Sequence, residues 1–212
     1  MCSPKNGSVE VRMESRLEQS VAQVLELDPR VRSYRAQPFT LDLSTGELLA
    51  KSPARKPKET VYYTPDFSAA LAGLEVIIEV KPRAFLDEHM EQLELVRQTL
   101  LRQGLRFIIL CEDDFPGHYL RNIQLLMPYL SQSRQHLTGW AERLNQREPE
   151  ELQGHVADVL SGLAPMSYFA AAGMLLGIIK TDLGQHLFED MDFPVEPAFG
   201  SLAAFEVIRY EP

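Results

Sequence analysis

Two strand-like apolar runs, Val61 to Leu71 and Leu74 to Lys81, flank the dipeptide Ala72-Gly73, and this pattern constrains the fold more than any other. With Ala72 and Gly73 as the two residues of a hairpin turn, Leu71 pairs with Leu74 and Asp66 comes opposite Glu79. The next segment, Phe85 to Gln103, places Leu86, Met90, Leu93, Val96, Leu100 and Leu101 on one face of a helix, and Gly104 follows as its stop. Leu105 to Cys111 is a short apolar run between Gly104 and the acidic trio Glu112-Asp113-Asp114, which predicts a buried strand. Strand, helix and strand in succession imply a parallel pair joined by a right-handed crossover. Upstream, Leu17, Val21, Val24 and Leu25 recur at helical spacing over Ser15 to Leu27. Val31 to Leu43, interrupted by Gln37-Pro38, reads as an edge strand or an extended lead-in, closed by a turn at Ser44-Thr-Gly46. The class is α/β.

The hairpin carries the chemistry. Directly opposed like charges on a sheet are unfavourable, so Asp66 facing Glu79 calls for something positive between them, and a divalent cation is the natural candidate. Strand alternation sets Ile77, Glu79 and Lys81 on one face and Val76, Ile78 and Val80 on the other, so Lys81 stands beside the carboxylates. Oxygen ligands of this kind suit Mg2+ or Mn2+, which polarise a phosphodiester and activate a water. Lys81 would orient that water or stabilise charge developing on the phosphate, and the Val80 carbonyl is a further ligand candidate. Against this stands a plain hairpin whose surface happens to carry Asp, Glu and Lys. Glu18 is the fourth candidate. It lies beside the apolar stripe of the first helix, where it could hold a second metal or its water, but Ser15-Arg-Leu-Glu18 also has capping-box spacing, and residue chemistry leaves both roles open.

Charge and composition narrow the rest. A net charge of −9 over 212 residues argues against a free-standing, high-affinity DNA binder. Residues 1–113 hold 15 basic and 17 acidic side chains, whereas 114–212 hold 6 and 13, so the acid excess sits in the second half. The run Lys51-Ser-Pro-Ala-Arg55-Lys56-Pro-Lys58 has cations and no anion, which suits either a loop on a phosphate backbone or a solvated loop. Cys2 and Cys111 give neither a metal-finger spacing nor a disulfide framework, and Met1 to Arg12 has no apolar signal region, so a cytoplasmic setting is expected. His89, His118, His136, His155 and His186 show no zinc-site spacing. Trp140 reads as a core anchor of an amphipathic helix, and Glu112-Asp113-Asp114 as a strand-end loop.

Beyond Phe115 the pattern is mostly helical. His118 to Leu130, Gln132 to Asn145, Glu150 to Leu160 and Met166 to Leu176 are the predicted helices, and Ile178 to Leu187 and Ala203 to Tyr210 could add a small wing or hairpin. Val159 to Ile179 is uncharged and holds Gly173-x-x-x-Gly177, superficially a membrane helix, but Pro165, Ser161 and Ser167 interrupt it and a buried helix pair accounts for the same composition. The expected organisation is a flexible N-terminus over 1–13, a catalytic domain over 14–147, and a small helical or winged-helix C-terminal domain over 148–212.

The succession Ser15-x-x-Glu18, Val31-Arg-Ser-Tyr34 with Gln37-Pro38, Tyr63-Thr-Pro-Asp66-Phe67 and Glu79-Val-Lys81-Pro-Arg83 resembles the catalytic domain of TnsA-type transposon endonucleases over roughly residues 14–113. The resemblance implies a restriction-endonuclease-like, PD-(D/E)xK core with Glu18, Asp66, Glu79 and Lys81 at the motif positions. The expected metal ligands are Asp66, Glu79, Val80 and Glu18, and the expected DNA contacts are Lys51, Arg55, Lys56, Lys58 and Arg83. In this family the Glu79 position can be glutamine; this chain keeps the carboxylate. The implied function is Mg2+-dependent cutting of the 5′ ends of a transposon in cut-and-paste movement. The implied partners are transposon-end DNA, an RNase H-like transposase subunit and an AAA+ ATPase regulator, with no membrane. Two other readings remain: a stand-alone nuclease of defence or repair, and a non-cutting adaptor between DNA and transposase.

Overall fold

The structure, a computed structural model, describes residues 2–7, 9–54, 60–132 and 134–210. It divides into two compact units: Met1–Glu26, Arg30–Asp114 and Arg209–Pro212 form the first, Leu27–Pro29 and Phe115–Ile208 the second. The units part between 114 and 115, ahead of the expected boundary between 147 and 148. Two helices over 119–132 and 134–144 pack on a third over 166–175, and so fall in the second unit.

In the first unit the chain runs β1 (Cys2–Ser3), β2 (Val9–Glu10), α1 (Arg16–Leu27), β3 (Ser33–Ala36), β4 (Thr40–Asp42), β5 (Leu48–Leu49), β6 (Tyr62–Tyr63), β7 (Phe67–Leu71), β8 (Leu74–Val80), α2 (Arg83–Arg102) and β9 (Arg106–Leu110). The main sheet has the order β3-β7-β8-β9. Its centre is the predicted hairpin: β7 and β8 are antiparallel with Leu71 opposite Leu74 and Phe67 opposite Ile78, and Gly73 supplies the positive φ of 77° that the turn needs. β8 and β9 are parallel, with α2 between them in sequence. Both faces of β8 are covered, since Val76, Ile77 and Ile78 are all fully buried. Ile77 joins Leu86, Leu93, Val96 and Leu100 of α2 in one cluster with Leu41, Phe107 and Cys111, as the apolar stripe of that helix requires. Cys111 is a buried, free thiol whose pKa is pushed up, first by burial.

Two expectations change here. Val31 to Leu43 is not one strand: Gln37, at φ 46°, and Pro38 turn the chain between β3, at the edge of the main sheet, and β4, which pairs with β5 and β6. The Ser44-Thr-Gly46 turn is present, held by the Asp42 carboxylate accepting the Ser44 and Thr45 amides. The N-terminus, expected to be flexible over 1–13, instead folds back as the β1–β2 pair. Its anchor is Glu26 of α1, 4% exposed, which accepts the Ser3 hydroxyl at 2.6 Å and the Lys5 amide at 3.2 Å, because a buried carboxylate without donors is costly.

The second unit contains α3 (Tyr119–Gln132), α4 (Arg134–Leu144), β10 (Gly154–His155), α5 (Val156–Val159), α6 (Met166–Leu175), β11 (Ile179–Lys180) and β12 (Pro194–Pro197), with β12 central in a small antiparallel sheet. The predicted helix over Glu150 to Leu160 breaks at Gly154 into a 3-10 turn, a strand and one helical turn, and Ala203 to Tyr210 holds a 3-10 turn rather than a strand. The uncharged stretch is a buried helix: Phe169 to Leu175 are all buried, and no described helix is long and apolar enough to cross a membrane. Gly173 has a packing reason, because a Cβ there would meet Ile179 at 2.7 Å and Leu144 at 3.0 Å. Trp140 is half-buried, its ring 4.9 Å from that of Tyr168. Fully buried Asn122 ties the unit together: its amide donates to the carbonyls of Leu183 and His186, and its oxygen accepts the Phe188 amide at 2.7 Å. Replacing Asn122 with Ala leaves three buried backbone groups without partners, so chemical denaturation is expected to show a loss of about 2–5 kcal/mol.

Candidate active site

The site is built where β7 begins and β8 ends. Phe67 opposite Ile78 is the last backbone pair, and one step further Asp66 and Glu79 face each other. The Asp66 carboxylate is fixed by the neighbouring strand, its Oδ2 accepting the Val80 amide at 2.7 Å. Glu79 is 5% exposed. Lys81, two residues along on the same face, brings its ammonium to 3.3 Å from Glu79 Oε1. Asp66, Glu79 and Lys81 therefore come together as the hairpin register and strand alternation predict, with Val80 supplying the amide that orients Asp66.

The charges do not balance. One ammonium stands beside two carboxylates, and the Asp66 pKa is pushed up from 3.8 to about 7, first by burial and next by the charge of Glu79, with Glu18 adding to the rise and Lys81 and the Val80 hydrogen bond opposing it. Glu79 Oε2 and the Tyr63 hydroxyl are both buried and meet no further hydrogen-bond partner among the described residues. The Tyr63 pKa is raised, by burial first, by the Glu79 charge next, and then by a hydrogen bond between its hydroxyl and the Glu79 carboxylate. In the sequence Tyr63 stands out only as a motif neighbour of Asp66; strand alternation gives no sign that its hydroxyl shares this interior.

Glu18 forms one half of the capping box that its spacing predicts, and its carboxylate reaches one residue beyond Ser15 for the other. Its backbone amide donates to the Ser15 hydroxyl at 3.1 Å, and its Oε2 accepts the Glu14 amide at 2.8 Å. Its charge nonetheless reaches Asp66. Gln37 links these parts: its amide donates to the Asp66 carbonyl at 2.8 Å, and its side chain donates to Glu14 at 2.9 Å. Of the acidic trio, Glu112 accepts the Arg83 amide at the start of α2 and Asp114 accepts the Cys111 amide, so both cap local backbone.

Among the expected DNA-contacting cations, Lys51 and Arg83 are exposed. Arg55, Lys56 and Lys58 lie outside the described residues. Among the described residues no group of three or more His, Cys, Asp or Glu side chains gathers as a metal-holding cluster.

Residues 28–112 match the family described as TnsA-like endonuclease N terminal. Over these residues the chain is similar to a TnsA-like endonuclease domain. The match covers under half of the chain, includes Asp66, Glu79, Lys81 and Arg83 of this TnsA-like domain, and begins after Glu18. It agrees with the family resemblance read from the motifs. No curated protein matches the chain.

The raised pKa of Asp66 in the TnsA-like domain has a direction in pH. Because the folded value lies above the unfolded one, this group's favourable contribution is complete below about pH 3.8 and is lost as pH rises through about 7. Asp66→Asn does not carry that loss. In EDTA, urea titrations are expected to show the variant and wild type converging near pH 4 and the variant more stable by about 1–3 kcal/mol at pH 8, after allowance for partial solvent screening.

Proposed function

We propose that this chain is the metal-dependent DNA endonuclease subunit of a Tn7-like transposition system, cutting the 5′ ends of the element while a separate RNase H-like transposase subunit processes the 3′ ends. The observation that carries the reading is the Asp66, Glu79 and Lys81 constellation inside a TnsA-like endonuclease domain. The strand order and the parallel β8–β9 pair suit a restriction-endonuclease-like core.

The residues fit a hard divalent cation, Mg2+ or Mn2+. Two carboxylates share a largely buried corner with one ammonium, and the charge of Glu79 beside Asp66 is only partly offset by Lys81. Asp66, Glu79 and the Val80 carbonyl would hold the ion, with Glu18 adding negative charge from α1. Such an ion, when bound, polarises the phosphodiester and lowers the pKa of a water. Lys81 places positive charge where the phosphate gains negative charge, and its pairing with Glu79 holds the ammonium ready for that task. The Val80 amide keeps Asp66 aimed across the strands.

The second unit is the candidate surface for an AAA+ regulator or the transposase subunit, in line with the acid excess beyond residue 113. A non-cutting adaptor would not need the paired carboxylates, whose mutual repulsion is unfavourable without a cation.

The test is cleavage of transposon-end DNA in Mg2+ with and without the transposase subunit. Asp66→Ala and Glu79→Gln are expected to lower the cleavage rate by at least about 10²–10³-fold, and Lys81→Met by a similar factor, with unfolding midpoints retained. Wild-type rates in Asp66→Ala would remove the residue from the reaction, and no cutting by wild type in any combination of partners would favour the adaptor.

A further inference from the structure

A groove of about 810 Å3 runs along the edge strand β3 and the N-terminal hairpin of the first unit. Its charged lining is Lys5, Arg12, Arg35 and Lys51 against a single acid, Glu10, in a chain whose net charge is −9. Lys5 is engaged, its ammonium donating to the Leu25 carbonyl at 2.9 Å. Arg12, Arg35 and Lys51 are exposed, and none forms an ion pair among the described residues. Three exposed cations thus line one open groove, against one acid, on a protein whose net charge is −9.

The position of the groove relates these cations to the site. Gln37 and Thr64 form part of its wall. The Gln37 amide holds the Asp66 carbonyl, and Thr64, whose hydroxyl lies 2.9 Å from that of Thr40, precedes Asp66 by two residues. One wall of the groove therefore lies one hydrogen bond from the backbone of Asp66. Gln37 reaches this place only by adopting a left-handed φ of 46°, which a non-glycine residue rarely does without a local reason. A second hollow at the start of α1 is lined by Arg12 and Arg16 and by Glu10 and Glu14, so its charges balance and the cation excess belongs to the groove alone.

We propose that Arg12, Arg35 and Lys51 form a track for the phosphate backbone of the DNA flanking the scissile bond, delivering it to the Asp66–Glu79 corner. The track deepens the nuclease reading and rests on it for its direction. Phosphate contacts of this kind set register and orientation without reading sequence, so the track positions any duplex and leaves the choice of transposon end to other contacts. A polyanion fits better than a small ligand, because the cations line an open groove rather than converging on one point.

The test uses the full chain and a fluorescein-labelled duplex in EDTA, which blocks cutting, with anisotropy followed between about 50 and 200 mM salt. The variant R12Q/R35Q/K51Q is expected to bind on the order of 10²-fold more weakly at the low-salt end, with a salt slope shallower by about 2–3, close to one for each phosphate no longer neutralised. A control variant, R97Q/R102Q/R121Q, removes as many cations from other surfaces and is expected to stay within about threefold of wild type. Equal affinity and slope in the groove variant and wild type would overturn the track, as would no duplex binding by wild type at low salt. Poly-glutamate binding as tightly as DNA, and abolished in the same variant, would instead assign the groove to an acidic protein segment. The underlying nuclease reading fails separately: wild type that binds DNA through the groove yet never cuts it, whatever metal or partner is added, sinks that reading and leaves the track, whereas wild type that cuts beside a groove variant of unchanged binding and cutting sinks the track alone.

Discussion

The hairpin register forces two carboxylates into one corner. With Leu71 opposite Leu74, Asp66 and Glu79 face each other across adjacent strands, where like charges repel and water is scarce. Lys81 offsets part of that repulsion from 3.3 Å, and the Val80 amide another part from 2.7 Å. Burial, and the repulsion that remains, show as a raised Asp66 pKa. A fold that only needed stability would place apolar groups there, and a charge imbalance of this kind marks a candidate functional site.

The surrounding structure holds the corner rigidly. Both faces of β8 are buried, α2 covers one through Ile77, and β9 locks the other edge in parallel. The start of β7 is tied to the start of α1 through Gln37, which contacts Asp66 and Glu14, while the Glu14 amide in turn donates to Glu18. Asp66, Glu14 and Glu18, on separate elements or at their ends, are thereby linked by short hydrogen bonds. A displacement at Gln37 would be felt at both ends of the site.

The corner is legible in the sequence because its determinants are local: a two-residue turn, period-two alternation and an amphipathic helix each have a strong pattern. The register of β7 with β8 and the extent of α1 and α2 follow directly from them. Other features escape such reading because they depend on contacts distant along the chain. Ser3 and Lys5 look like a polar tail until Glu26 is known to be buried beside them, and Gln37-Pro38 looks like an interruption in a strand until its amide is seen on Asp66. In the second unit, Glu150 to Leu160 has apolar residues at helical intervals, but Gly154 at φ 133° and the pairing of β10 with β12 override that periodicity.

The titration of the Asp66 side chain, followed by carbon NMR of the labelled carboxyl group in EDTA and then in Mg2+, addresses the central claim most directly. A midpoint near 7 without metal, falling well into the ordinary carboxylate range when Mg2+ is added, is the predicted result. A midpoint near 3.8 in EDTA that Mg2+ leaves unmoved would contradict the account, because the two carboxylates would then share neither a buried corner nor a cation.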